Sequence, residues 1–348
     1  MKIIIFHGGS IGDTLMAFPA IECIRNNYKD ARIDLFSCPG VNDFSYLNFY
    51  ENTGLVDDVK RFYIPPGNAA RLPVYSKLFL TVLRGNYDMV VCLLPWHRNQ
   101  NLDRLFFRLG RVRRVVYPVN LPAKKDISLP RVPFLMLKGL ADNGFSVPEA
   151  NDVSIKLKIT PTEQENAARW LDKLNIPSGH IPIAIGMGGK KPVCLWPQEK
   201  YHKVLEKLSK NHHIFPIFFG GKADGEAARE LIVKLKTGAF AADGGNLSLR
   251  ETVAALGFCQ LFIGNDTGTV HMAAAAGIPI IGIYSAHNYE GLWHPLGKDN
   301  AIFRKELECR GCDKLICTFG TPAKCIDMIE AQEVAERAME LLNEKHSV

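Results

Sequence analysis

The chain has 348 residues, 47% of them apolar and 22% charged, which excludes a disordered tail protein and allows two cores of ordinary size without disulfide staples. The longest apolar region, Val270 to Ala286, is broken by His, Gly and Pro, which excludes a membrane-spanning helix, and the start M-K-I-I-I-F-H-G-G-S is too short in apolar residues for a signal peptide. A cytoplasmic, non-spanning protein of net charge +6 is therefore expected.

Lys2 to Phe6 reads as a first strand, followed at once by H-G-G-S-I-G-D. The glycines let the backbone turn sharply, and the apolar positions Leu15, Ile21 and Ile24 then carry a helix. Asp13 falls near the start of that helix, where the dipole favours an anion, a placing suited to a proton acceptor and equally to a plain N-terminal cap. Pro19 should kink or delay the helix. Further strands are predicted at Ala31 to Phe36 and Met89 to Leu94, so the first half reads as a mostly parallel sheet with helices on its faces.

Between Arg98 and Lys138 ten Lys or Arg stand against Asp103 and Asp126, a local excess larger than the net charge of the whole chain. With Phe106, Phe107 and Tyr117 among them, these charges suit a phosphorylated glycolipid at a membrane surface better than RNA; the plain alternative is a solvated helix face over buried aromatics. Five prolines make Pro118 to Pro148 loop-rich, and P-T-E-Q-E at Pro161 opens a new helix, which sets domains at 1–155 and 156–348.

The second half restarts with a strand at Pro182 to Ile185 and the loop G-M-G-G-K-K, whose Lys190 and Lys191 suit a diphosphate although no Walker pattern closes it. Trp196 and Pro197 lead a helix to about Leu208, Ile214 to Phe219 is a strand, Ala227 to Leu235 is a helix, and S-L-R-E at Ser248 to Glu251 is a capping box. Leu261 to Ile263 then ends in G-N-D-T-G, which opens an Ala-rich helix stopped by Gly277 and Pro279. In open α/β sheets ligands sit beyond the carboxyl ends of strands. There Thr267, the Gly268 backbone and His271 suit phosphates, while Asp266 suits sugar hydroxyls, a combination that fits a nucleotide sugar. Ordinary turn and cap residues are the bland alternative.

Five of the nine cysteines are scattered, and four, Cys309, Cys312, Cys317 and Cys325, cluster as C-x2-C-x4-C-x7-C. Four thiolates so close can hold zinc or iron; free buried thiols and a disulfide stay open beside that reading.

Together, S-I-G-D at Ser10, W-P at Trp196, G-N-D-T-G-T-V-H-M-A-A-A-A-G-I-P from Gly264 and W-H-P-L at Trp293 resemble the ordered motifs of the ADP-heptose:lipopolysaccharide heptosyltransferases, glycosyltransferase family nine, nearly from end to end. The resemblance implies a GT-B fold: two Rossmann-like doubly wound α/β domains facing across a cleft, acceptor domain first, donor domain second, with a last helix at about Ala331 to Asn343 packing back toward the first. The implied reaction is inverting transfer of heptose from an ADP-sugar to a hydroxyl of the lipopolysaccharide inner core, with Asp13 as base and no cofactor required.

Gly9, Ser10, Arg98 and Arg104 would then meet the acceptor, and Asp266, Thr267, Gly268, His271, Lys190 and Lys191 the donor. Leu247 would touch the adenine, and Asp224 or Glu226 the base or ribose. The cysteine cluster is known in this family and implies a structural zinc or iron. The partners implied are an ADP-sugar and an anionic glycolipid at the inner face of the inner membrane, with no nucleic acid; the oligomeric state is not legible. One position departs from the family: Cys194 stands where a lysine is usual, two residues before Trp196. A relative using another nucleotide sugar or a protein acceptor, a non-catalytic sugar-nucleotide binder, and a dinucleotide oxidoreductase suggested by the first glycine loop are the competing readings.

Overall fold

A computed structural model describes residues 1–37, 45–63, 68–93, 106–119, 121, 128–242 and 247–346. The chain divides into two compact units: Met1–Ala123 with Pro130–Lys158, and Ile159–Val348 joined by Lys124–Leu129. The chain thus visits the second unit before the boundary read from the sequence. The Leu129 N–H donates to Glu290 O at 2.8 Å, and Gly291, at φ +82°, makes room for that contact: a methyl group on it would meet Leu129 O at 2.4 Å.

The first unit holds β1 (Lys2–His7), α1 (Ile11–Asn27), β2 (Arg32–Ser37), β3 (Asp58–Arg61), α2 (Asn68–Gly85), β4 (Met89–Cys92), β5 (Arg114–Val116) and α3 (Val132–Asp142). All neighbouring strands are parallel in the order β3-β2-β1-β4-β5. β1 is apolar from Ile3 to Phe6 because a central parallel strand is covered on both faces. α1 begins at Ile11, undelayed, and continues through a buried Pro19.

The second unit follows with α4 (Pro161–Asp172), β6 (Ile181–Gly186), α5 (Gln198–Asn211), β7 (Ile214–Gly220), α6 (Gly225–Leu235), β8 (Ala239–Ala242), α7 (Leu249–Leu256), β9 (Leu261–Asn265), α8 (Gly268–Ala276), β10 (Ile280–Tyr284), β11 (Asn300–Arg304), α9 (Lys324–Asp327) and α10 (Ala331–His346). Its six strands are also parallel, in the order β11-β10-β9-β6-β7-β8. Both sheets reverse strand order beside their first strand, so the first unit has its switch point between β1 and β4 and the second between β6 and β9. α10 packs against α5, with Val334, Ala335, Ala338 and Leu342 in the core of the second unit.

Two capping boxes start α4 and α7: Thr160 with Glu163, and Ser248 with Glu251. They are tied together. Arg250, 1% exposed, donates to both oxygens of Glu163 at 2.5 and 3.0 Å, and Asn166 donates to Glu251.

Candidate functional site

In the first unit the turn from β1 to α1 delivers Asp13 to the third position of the helix. Its Oδ2 accepts from the Ser10 N–H at 2.6 Å and from Ser10 Oγ–H at 2.9 Å, which fixes the carboxylate over the loop. Gly9 stands at φ +126°, a region closed to most side chains. His7, at the end of β1, is 1% exposed, with Nε2 3.4 Å from Thr14 Oγ1. Burial pulls its pKa down to about 4, against the opposing pull of Asp13, so its imidazole is neutral at pH 7. The loop therefore combines a half-exposed carboxylate with a neutral, buried histidine.

Arg98 and Arg104, expected on the acceptor side, lie outside the described residues. The aromatics of the basic stretch are structural. Phe107 is 3% exposed, its ring 5.3 Å from that of Phe6, and Phe106 meets Phe79 edge-on at 5.4 Å. Arg108, Arg111 and Arg113 are exposed beside them, which matches a charged surface over buried rings. Asp34 is likewise structural. It sits inside β2, accepts from Tyr87 OH at 2.5 Å and pairs with Arg32.

In the second unit, the loops after β6 and β9 meet at the switch point. Gly186 and Gly264 pair in register there, so close that a methyl group on Gly264 would meet Gly186 O at 2.5 Å. Asn265, fully buried, knots the loops together. It donates to Met187 O at 2.6 Å and accepts from the Trp196 N–H at 3.2 Å and Tyr201 OH at 2.9 Å. The W-P motif is thereby given a structural job: the Trp196 indole, 3% exposed, donates to Ile329 O at 3.1 Å.

Beyond this knot Asp266, Thr267 and Gly268 are half-exposed at the start of α8. Thr267 occupies the cap position, but its hydroxyl bonds Thr269 Oγ1 at 2.8 Å and makes no capping bond to the first-turn N–H groups. Those N–H groups and the helix dipole form an anion-holding turn. His271 differs from the expectation. It is 3% exposed, burial lowers its pKa to about 4, and Nδ1 has no hydrogen-bond partner among the described residues. Its imidazole is therefore neutral at pH 7.

Lys190 and Lys191 are exposed on the loop after β6. Cys194, in the usual lysine position, is 2% exposed, and its thiol is pushed up to about 12 by burial and by the Asp266 carboxylate, so it carries no charge. Lys191 acts electrostatically on the same thiol, in the opposite sense. Asp224 caps the turn after β7 through the Gly221 N–H at 2.8 Å and reaches the other glycine loop: a methyl group on Gly188 would overlap its carboxylate at 2.2 Å. Glu226 lies exposed on the first turn of α6, so of the two acids Asp224 is the one the fold brings to the glycine loop. Leu247 is half-buried and lines a groove of about 650 Å³ with Asn166, Arg169, Trp170 and Glu251.

The four late cysteines line one small cavity with Val193, Ala286 and His287. Cys325 Sγ accepts from the Ala286 N–H at 3.3 Å and Cys317 Sγ from the Phe319 N–H at 3.4 Å. The lobe backs onto the donor-side loop: Val193 N–H donates to Leu315 O at 3.1 Å, and Cys194 Sγ lies 3.7 Å from His287 Nδ1. Among the described residues, no three His, Cys, Asp or Glu side chains stand close enough to hold a metal. Also among the described residues, no helix is long and apolar enough to cross a membrane.

Two Rossmann-type units in one chain, the second with an anion-holding turn at its switch point, are the two halves of a GT-B fold. The chain belongs to glycosyltransferase family 9 (heptosyltransferase), whose sequence profile matches residues 144–322, just over half of its length. It is similar to lipooligosaccharide heptosyltransferase 2 of Campylobacter jejuni, with 28% identity in one strain over 98% of this chain and 99% of the relative. It is also similar to lipopolysaccharide heptosyltransferase 3 of Escherichia coli, with 24% identity over 82% of this chain and 83% of the relative. Among solved structures it shares its fold with a family 9 glycosyl transferase from Veillonella parvula (TM-score 0.74, 19% identity, 99% of this chain and 97% of that one). E. coli ADP-heptose lps heptosyltransferase II also shares the fold (TM-score 0.69, 18% identity, 99% and 100%).

Proposed function

We propose that this enzyme transfers a heptose from an ADP-activated sugar to a hydroxyl of a lipopolysaccharide core, with inversion at the anomeric carbon. The observation that carries this reading is the unlocked first turn of α8 at the second switch point, where Thr267 takes the cap position and leaves the N–H groups to an anion. The Thr267 and Gly268 backbone, helped by Lys191 and Lys190, holds the diphosphate; Asp266 and Asp224 accept from sugar or ribose hydroxyls; Leu247 and Glu226 border the base.

Asp13 takes the proton of the acceptor hydroxyl as its oxygen bonds to the anomeric carbon. The bond from that carbon to the β-phosphate oxygen breaks, and ADP leaves with the electron pair. Gly9, Ser10, Arg98 and Arg104 serve the acceptor. Purified protein given ADP-heptose and a deep-rough lipopolysaccharide acceptor should release ADP and extend the acceptor by one heptose of inverted anomeric configuration. Donor binding without transfer to any glycolipid would leave only the sugar-nucleotide-binding reading. Cys194 in the lysine position favours a second reading, a different nucleotide sugar or acceptor in the same site, and thermal-shift screening of ADP-, UDP- and GDP-sugars separates the two.

The chemistry as proposed needs no cofactor, so transfer should survive chelation. We further propose a structural zinc or iron at Cys309, Cys312, Cys317 and Cys325, which would draw the four sulfurs inward. Its support is the donor set: four thiols on one cavity, two of them already accepting backbone N–H groups. Metal analysis tests it, and a metal-free sample with all four thiols titratable excludes it.

A further inference from the structure

Large apolar side chains that stand exposed are scattered over most of the described surface, as is ordinary for a globular protein. One group is not scattered: Leu315, Ile316 and Phe319, within five residues of one another, are 63%, 63% and 67% exposed. They crown the loop of the cysteine lobe. Between exposed Asp313 and exposed Asp327 the chain has no other acid and carries Lys314 and Lys324. The loop is fastened from below by the Val193 N–H on Leu315 O and by the Asp313 N–H on His287 O at 2.7 Å. It therefore stands at the carboxyl ends of β6 and β10, the side of the second sheet on which the anion-holding turn lies.

We propose that this loop is a membrane-docking tip, with Leu315, Ile316 and Phe319 entering the headgroup region of an anionic bilayer and Lys314 and Lys324 meeting its lipid phosphates. Two observations select a bilayer over a protein. Three side chains of roughly 200 Å² or less each fall short of the about 800 Å² per partner that a stable protein interface needs. The tip itself carries no acid and has Lys314 directly beside Leu315, with Asp313 and Asp327 at its two borders, so the cation nearest the apolar side chains complements a negative lipid surface. Docking by this tip would turn the donor-binding side of the unit toward the bilayer, where a glycolipid acceptor resides. The inference rests on the proposed reaction only for that last point, and its test contains neither donor nor acceptor.

The full-length chain is sedimented with vesicles of phosphatidylcholine mixed with phosphatidylglycerol, and with vesicles of phosphatidylcholine alone. Binding to the anionic vesicles is expected, reduced about tenfold or more in the combined Leu315→Ser, Ile316→Ser, Phe319→Ser variant. Lys314→Glu should lower binding to the anionic vesicles roughly fivefold or more and leave the neutral ones unchanged. Should the combined variant fail to fold, Phe319→Trp replaces it: its emission should shift to the blue on anionic vesicles. Unchanged vesicle binding by the folded combined variant, or no blue shift, overturns the proposal. So does light scattering that shows a wild-type oligomer which the combined variant dissociates, because the loop would then be covered by a second copy of the chain.

Discussion

A methyl group placed on Gly9 would sit 2.4 Å from Cγ of Asp13, so any side chain at position 9 would have to displace the carboxylate. Asp13→Asn keeps the size of the side chain and removes the base. It should lower kcat by about a hundredfold to ten-thousandfold while ADP affinity, measured by calorimetry, stays within about twofold. Gly9→Ala should reproduce the loss of turnover by displacing Asp13, with about 1–2 kcal/mol of lost stability from strain at φ +126°. If Asp13→Asn weakened ADP binding as much as turnover, the carboxylate would have to be reassigned to the donor.

Asn265 bridges Met187, Trp196 and Tyr201 from a fully buried position. Asn265→Leu removes one donor and one acceptor and strands three partners in the core. A loss of about 3 kcal/mol or more in urea unfolding is expected. The two glycine-side loops should loosen with it, so ADP affinity should also fall.

Acid stability should reflect His7 and His271. Both are buried with pKa values lowered to about 4 from 6.5, so the unfolded chain takes up their protons first. Above pH 6.5 both states are neutral there and the two residues contribute nothing. As pH falls from 6.5 toward 4, the unfolded state is favoured by up to about 3 kcal/mol for each. The carboxylates of Asp57, Asp58, Glu163, Glu251 and Glu333, whose pKa values are lowered from 3.8 or 4.5, add the same sign of effect only below about pH 4.5. Melting temperature should therefore begin to fall near pH 6.5, and His271→Gln should flatten that first limb. A wild-type melting temperature that is level down to pH 4.5 would show that the histidines are protonated in the fold.

Cys194 is an uncharged thiol where the family usually has a lysine, and Lys191 is a cation whose charge is felt at that thiol. Lys191→Met should weaken ADP binding roughly tenfold, and Lys190→Met less. The difference should shrink at high salt. Equal effects from both would mean that the pair acts only as a diffuse positive surface.

Much of the frame was legible because backbone rules are local. The apolar run of β1 followed by glycines, the S-L-R-E box and the Pro161 start of α4 were read from residue type and spacing and appear in the structure. The switch-point turn followed from a strand meeting a polar, glycine-bounded loop. What depends on tertiary contacts was not legible. The burial of His271 was not legible, since its sequence position says nothing of what packs around it. Asn265 was passed over beside Asp266 because its three partners lie 64 to 78 residues away. The strands β3, β5, β8 and β11 are the four sheet edges, and they lack the continuous branched apolar run of the central strands, so only the sheet beside them reveals them.

The ion pair between Arg250 and Glu163 has a practical corollary for anyone who wants the donor-binding unit alone. The guanidinium is embedded and bound by a carboxylate 87 residues upstream, on a helix that precedes the first strand of the sheet. A fragment trimmed neatly to that strand, at Ile181, would contain every β-strand of the unit and still forfeit the counter-ion, at a cost of about 3–5 kcal/mol. A soluble excised domain has to start upstream of Thr160, carrying a helix that lies outside the sheet altogether.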